Sequence, residues 1–130
     1  PSEGNVFISV KDEDKSQLKT LCTKLKGLGF KFIATKGTGL KMKEDGFEVK
    51  IINKVMEGRP HIVDAILNNE VSMVINTTEG RQSIKDSYSI RRSALEHSVF
   101  LTTTISGGFA IVESLEQGEK VWSYDALQNS

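Results

Sequence analysis

Phe30-Lys31-Phe32-Ile33-Ala34-Thr35-Lys36-Gly37-Thr38-Gly39 passes from a short apolar run into a glycine- and threonine-rich turn, with a helix-like segment after it. The same order recurs where Val71 to Ile75 leads into Asn76-Thr77-Thr78-Glu79-Gly80-Arg81. A strand, a tight turn and a helix make the repeating unit of a parallel sheet. The turn also carries chemistry. It leaves backbone N–H groups at the positive end of a helix dipole, where an anion is favoured. Hydroxyls and a cation beside those amides complete a site for a phosphate, and this chain builds such a turn twice.

The flanking segments fit that unit. Asn5-Val6-Phe7-Ile8-Ser9-Val10 is a nearly continuous apolar run, as expected of a strand covered on both faces. Asp12, Glu13 and Asp14 then open a helix in which Leu18, Leu21, Cys22, Leu25 and Leu28 recur at three- and four-residue spacing, and Gly29 ends it. After the strand at 30–34, a short helix over 38–45 stops at Gly46, and 47–52 forms a third strand. Asn53 to Arg59 is a polar loop, and Pro60 suits the first position of a helix over 61–69. A fourth strand covers 71–75. An amphipathic helix over 82–97 follows through Ile84, Tyr88, Ile90, Ala94 and Leu95. Residues 99–102 form a fifth strand, 107–115 a last helix, and a tail carries Trp122 and Tyr124. This alternation predicts an α/β fold, a five-stranded, mostly parallel sheet with right-handed crossovers and helices on both faces. Both turns then lie at the carboxyl ends of strands, where ligands collect.

Composition narrows the function. The 130 residues make one domain, long enough to bury roughly two thirds of its unfolded surface. The opening Pro1-Ser2-Glu3-Gly4 reads as a linker from a preceding domain, with the folded domain over 5–130. Seventeen basic and seventeen acidic residues cancel, so no long-range field favours nucleic acid or anionic lipid. No apolar run approaches the roughly 20 residues of a membrane span. The lone Cys22 excludes an internal disulfide and suits a reducing cytoplasm. His61 and His97 have no partners at metal-ligand spacing. Any anion site is therefore local.

At the first turn the donors are the amides of Gly37 to Gly39 and the hydroxyls of Thr35 and Thr38, with Lys15 and Lys54 as cations. The second turn supplies Asn76, Thr77 and Thr78, with Arg81 as a bidentate partner. Singly, each turn is an ordinary strand-to-helix connection; together on one sheet edge they point to a small phosphorylated ligand. Ser106-Gly107-Gly108 offers a third helix start, read equally as a tight turn. Cys22, Met42, Met56 and Met73 read as packing residues, and Arg91-Arg92 as a solvated or salt-bridged helix face.

Six segments carry a family resemblance: Phe7-Ile8-Ser9-Val10, Ala34-Thr35-Lys36-Gly37-Thr38, Asn53-Lys54-Val55-Met56-Glu57-Gly58-Arg59-Pro60-His61, Ile75-Asn76-Thr77-Thr78, Ile90-Arg91-Arg92-Ser93-Ala94-Leu95 and Gly107-Gly108-Phe109-Ala110. In this order they resemble the C-terminal allosteric domain of the carbamoyl phosphate synthetase large subunit of bacterial type. The resemblance implies a methylglyoxal-synthase-like three-layer sandwich. It implies a non-catalytic module within an ATP-dependent carbon–nitrogen ligase that uses glutamine, bicarbonate and ATP with Mg or Mn, and that works with a small glutaminase subunit. The module itself carries no cofactor. Its implied ligands are UMP, an inhibitor, and IMP, an activator. The nucleotide phosphate meets residues matching Lys15, Thr35, Thr38 and Lys54, with Asn76 and Thr78 beside the nucleotide and Arg81 assisting. In the family, ornithine binds against an aromatic hydroxyl and a threonine at the end of strand five. Thr103 matches the threonine, but Leu101 stands where a tyrosine is expected, and this departure weakens the expectation of ornithine activation.

Other readings compete. Methylglyoxal synthase, acting on dihydroxyacetone phosphate, needs a carboxylate base in the loop after the third strand. Here that stretch is Gly58-Arg59-Pro60-His61-Ile62, with Asp64 a turn into the helix. The cyclohydrolase half of the bifunctional purine-synthesis enzyme carries a lysine-rich loop motif that this chain lacks. A docking domain with a vestigial phosphate site would have no reason to keep Lys15, Lys54 and both threonines.

Overall fold

The computed structural model describes residues 4–53, 58, 61–77 and 80–129, with backbone alone for 80–87 and 118–129. In chain order the elements are β1 (Gly4–Ser9), a 3₁₀ turn (Asp12–Asp14), α1 (Lys15–Gly27), β2 (Phe30–Thr35), α2 (Lys36–Glu44), β3 (Lys50–Ile52), α3 (Ile62–Leu67), β4 (Met73–Asn76), α4 (Gly80–Glu96), β5 (Phe100–Thr102) and α5 (Ile105–Asn129). The strands form one parallel sheet in the order β3-β2-β1-β4-β5. The chain steps outward from β1 through β2 to β3, then crosses back to β4 and β5. Strand order therefore reverses between β1 and β4, both carrying their carboxyl ends to the same edge.

Helices cover both faces, which is why β1 buries Val6, Phe7 and Ile8 alike rather than alternating. Val6, Ile8, Met73 and Ile75 pack with Leu18, Leu21 and Leu25 of α1, Met42 of α2 and Val112 of α5. On the opposite face Phe7, Ile33 and Val74 meet Ile62 and Ile66 of α3 and Ile90 of α4. Gly108 brings α5 close, since a β-carbon there would stand 3.3 Å from Leu21 and 3.4 Å from Ile75.

Several boundaries differ from the sequence reading. The acidic triplet does not open α1. It forms a separate 3₁₀ turn closed by the Asp14 amide donating to the Lys11 carbonyl at 3.0 Å, and Lys15 becomes the first residue of α1. The stretch Lys36 to Gly39 is not a turn but the opening of α2, with Thr35 extended at its N-cap. β3 is shorter, because Phe47 folds back: its amide donates to the Met42 carbonyl at 3.0 Å, and its ring meets Phe32 edge-on at 5.8 Å. Gly29 follows the end of α1 at φ 97°, where a side chain would be strained. Ser106-Gly107-Gly108 lies inside the first turn of α5, whose Gly107 amide donates to the Thr104 hydroxyl at 2.9 Å. α5 continues to Asn129, so positions 122 and 124 lie on a helix and not in a tail. Pro60 and Met56 fall outside the described residues.

Cys22 is fully buried on α1, and burial together with the Asp45 carboxylate pushes its thiol from 9.0 up to about 12. A raised thiol contributes stability that is intact below pH 9 and lost as pH climbs toward 12. We expect the urea midpoint of the native chain to fall more between pH 8 and 11 than that of Cys22→Ala. Iodoacetamide should leave Cys22 unmodified at pH 8 until the chain is unfolded. Equal pH dependence of the two proteins, or rapid native-state alkylation, would contradict this assignment.

Candidate functional site

The carboxyl ends of β1, β2 and β4 bring Ser9, Thr35 and Asn76 side by side. Ser9 is in register with Asn76, and Ile8 with Ala34 one rung earlier. The Ser9 and Thr35 hydroxyls lie 3.0 Å apart. Beyond Ser9 the backbone is held from two sides. The Val10 amide donates to the Thr38 hydroxyl of α2 at 3.1 Å, and the Lys11 amide donates to the Thr77 hydroxyl at 2.8 Å. The Thr77 amide donates in turn to the Ser9 carbonyl at 2.9 Å. The β1–α1 loop thus bridges the reversal point of the sheet, pinned to α2 on one side and to the end of β4 on the other. Thr35, Thr38, Asn76 and Thr77 are all buried. A hydroxyl that accepts an amide still has its own proton to donate.

Lys15 supplies the cation. Its ammonium is 2.6 Å from an Asp12 carboxylate oxygen and 3.5 Å from where a β-carbon on Gly37 would stand, so it overhangs the opening turn of α2. Thr35 makes no side-chain cap there, and no acidic residue lies in that first turn, which instead begins with Lys36. α1 also opens on a lysine, Lys15, but here Asp14 stands at the N-cap with Asp12 and Glu13 just before it. Helix starts ordinarily favour carboxylates by about 0.3–1 kcal/mol and disfavour cations. The α2 start, with Lys36 leading, the Lys15 ammonium above it and no acid in its first turn, is the one an anion would suit.

Of the residues named from sequence, Lys15, Thr35, Gly37 and Thr38 lie together at this edge, with Asn76 and Thr77 across β1. The Thr77 hydroxyl accepts the Lys11 amide, as the Thr38 hydroxyl accepts that of Val10. Lys54 and Thr78 lie outside the described residues, and Arg81 is described by backbone alone, in the first turn of α4. Thr103 is exposed beyond β5, separated from β1 by β4, and does not join this cluster. Leu101 is half-buried against the core beneath α3 and α4, as an ordinary strand residue. Ser9 was not a candidate from sequence. Its signal is a hydroxyl at the last position of an apolar run, significant only once Thr35 is known to lie beside it.

Asp64 caps its own helix, accepting the His61 amide at 3.1 Å. On the outer face of α4, Arg92 pairs with Glu96 at 3.3 Å. No cluster of three or more metal-ligating side chains occurs among the described residues, and no described helix is long and apolar enough to cross a membrane.

Comparison with known proteins agrees with the fold. The model of the MGS-like domain matches residues 17–103. The chain is 55% identical over 118 residues to the carbamoyl phosphate synthase large chain of Pseudomonas putida, covering 91% of this chain and 11% of that protein. To the same-named protein of Xanthomonas axonopodis pv. citri it is 48% identical over 129 residues, 98% of this chain and 12% of the relative. It thus spans about a tenth of the length of these relatives. The crystal structure of methylglyoxal synthase from Elizabethkingia anophelis superposes with a TM-score of 0.68 at 19% identity, covering 86% of this chain and 78% of that one, a likeness of fold. On its sequence, its sheet order and its fold, the chain belongs to the MGS-like domain family.

Proposed function

We propose that this domain is the effector-binding module of a carbamoyl phosphate synthase large chain, taking UMP as inhibitor and IMP as activator. The observation that carries the reading is the Lys15 ammonium over the uncapped opening of α2. The two nucleotides share a ribose phosphate, so the cradle of Lys15, Thr35, Gly37 and Thr38 anchors both, and the bases discriminate. Ser9 and Asn76 border the cradle from β1 and β4. The resemblance adds Lys54, Thr78 and Arg81. In the parent enzyme, bicarbonate, glutamine and ATP are handled by other domains and the small subunit, and carbamoyl phosphate feeds pyrimidine and arginine synthesis. An effector shifts that distant activity only by binding two states of the whole enzyme unequally, with a coupling of about 1–3 kcal/mol. Against a catalytic synthase stands Asp64, whose carboxylate is engaged at its own helix start.

Calorimetric titration of this chain with UMP, followed by IMP in competition, tests the reading. Saturable UMP binding that IMP displaces supports one shared pocket; no heat from either nucleotide contradicts it. Lys54→Ala should weaken both nucleotides with an unchanged thermal midpoint. Undiminished UMP affinity in that variant would remove Lys54 from the site.

A further inference from the structure

We infer that Asp12 is an internal stand-in for the ligand phosphate: it holds the Lys15 ammonium over α2 before a ligand binds and yields it when a phosphate monoester arrives. The inference rests on the anion-site reading above. Lys15 follows the carboxylates of Asp12, Glu13 and Asp14 and overhangs the positive start of α2, which has no acid in its first turn and opposes its charge. The Asp12 carboxylate at 2.6 Å offsets that repulsion. The Lys15 side chain is 27% exposed but the Asp12 side chain is 90% exposed, so the carboxylate can turn out into water and release the ammonium, as a carboxylate buried on both sides could not. A phosphate brings nearly two charges and three acceptor oxygens, enough to engage the ammonium and the α2 amides together. Asp12 thereby sets the affinity of the site by competing for its cation.

Asp12→Asn keeps the side chain's shape and removes its charge. The variant should bind UMP, and inorganic phosphate alone, about two- to fivefold more tightly at low salt, and the gain should shrink at high salt. Its ligand-free thermal midpoint should fall, and saturating UMP should raise it by more than in the native chain. In a Lys15→Met background, Asp12→Asn should change neither affinity. Glu13→Gln, removing a neighbouring exposed charge, should tighten binding less. Equal tightening by Glu13→Gln, or UMP affinity in Asp12→Asn no better than native, would overturn this inference and leave the anion site standing. Failure of the native chain to bind either probe would overturn both.

Discussion

Lys15→Met is expected to weaken UMP and IMP together by about ten- to a hundredfold, while the ligand-free thermal midpoint stays level or rises slightly. A charge-assisted hydrogen bond contributes about 1.5–3 kcal/mol, and each 1.4 kcal/mol is about tenfold in affinity. Stability should not suffer, because the Asp12 half of the pair is 90% exposed and a cation at the first position of α1 is opposed by the dipole. Removing Lys15 leaves the Asp12 carboxylate in the turn that leads into α1, where a negative charge is welcome. Calorimetry with both nucleotides and a thermal melt decide it. Affinities within about threefold of native would take the ammonium out of the site.

Gly39→Ala should lower the thermal midpoint by roughly 3–8 °C, against the usual benefit of alanine in a helix. That benefit is up to about 1 kcal/mol. Here the added β-carbon would stand 2.7 Å from Cγ1 and 3.1 Å from Cδ1 of Ile51, with Ala34 at 3.7 Å behind it. Cγ1 moves only if the stiff, β-branched χ1 of Ile51 changes, so either that rotamer or α2 must shift, and overpacking of this kind costs about 1–3 kcal/mol. Because Gly37 and Thr38 move with α2, nucleotide affinity should fall as well. Ile51→Ala removes the colliding atoms. The double variant should therefore be more stable than the sum of the two single losses predicts, by at least about 0.5 kcal/mol. A Gly39→Ala protein that melts higher than native would show that α2 has room against β3.

The alternation of apolar runs and helical spacing made the sheet and its two helix layers legible, because strands covered on both faces leave an unmistakable pattern in Val6 to Ile8 and Met73 to Ile75. The nearness of Thr35, Gly37 and Thr38 was also legible, since they adjoin one another at a single strand–helix junction; that Lys15 reaches over it needed the fold. What escaped was set by tertiary contact. Lys36 to Gly39 looks like a turn by composition, yet docking of α2 on Ala34 and Ile51 makes it helical. Phe47 has the residue type of a strand and is instead drawn to Phe32. An isolated Gly118 is a tolerable interruption at about 1 kcal/mol, so nothing local ends α5 near residue 115. The role of Ser9, and the use of the Thr77 hydroxyl to hold Lys11, depend on residues far apart in sequence.

The two amides of the β1–α1 loop are accepted by threonines, not serines. A β-branched side chain has few rotamers, so each hydroxyl is confined to a narrow set of directions before any partner approaches. The loop that frames the site is thus ordered during folding, and its conformational entropy is already lost when an effector arrives. A nucleotide as small as a monophosphate has little contact area with which to organise flexible backbone. On the proposed reading, fixing the frame in advance would leave nearly all of that interaction free energy to distinguish one state of a larger enzyme from another.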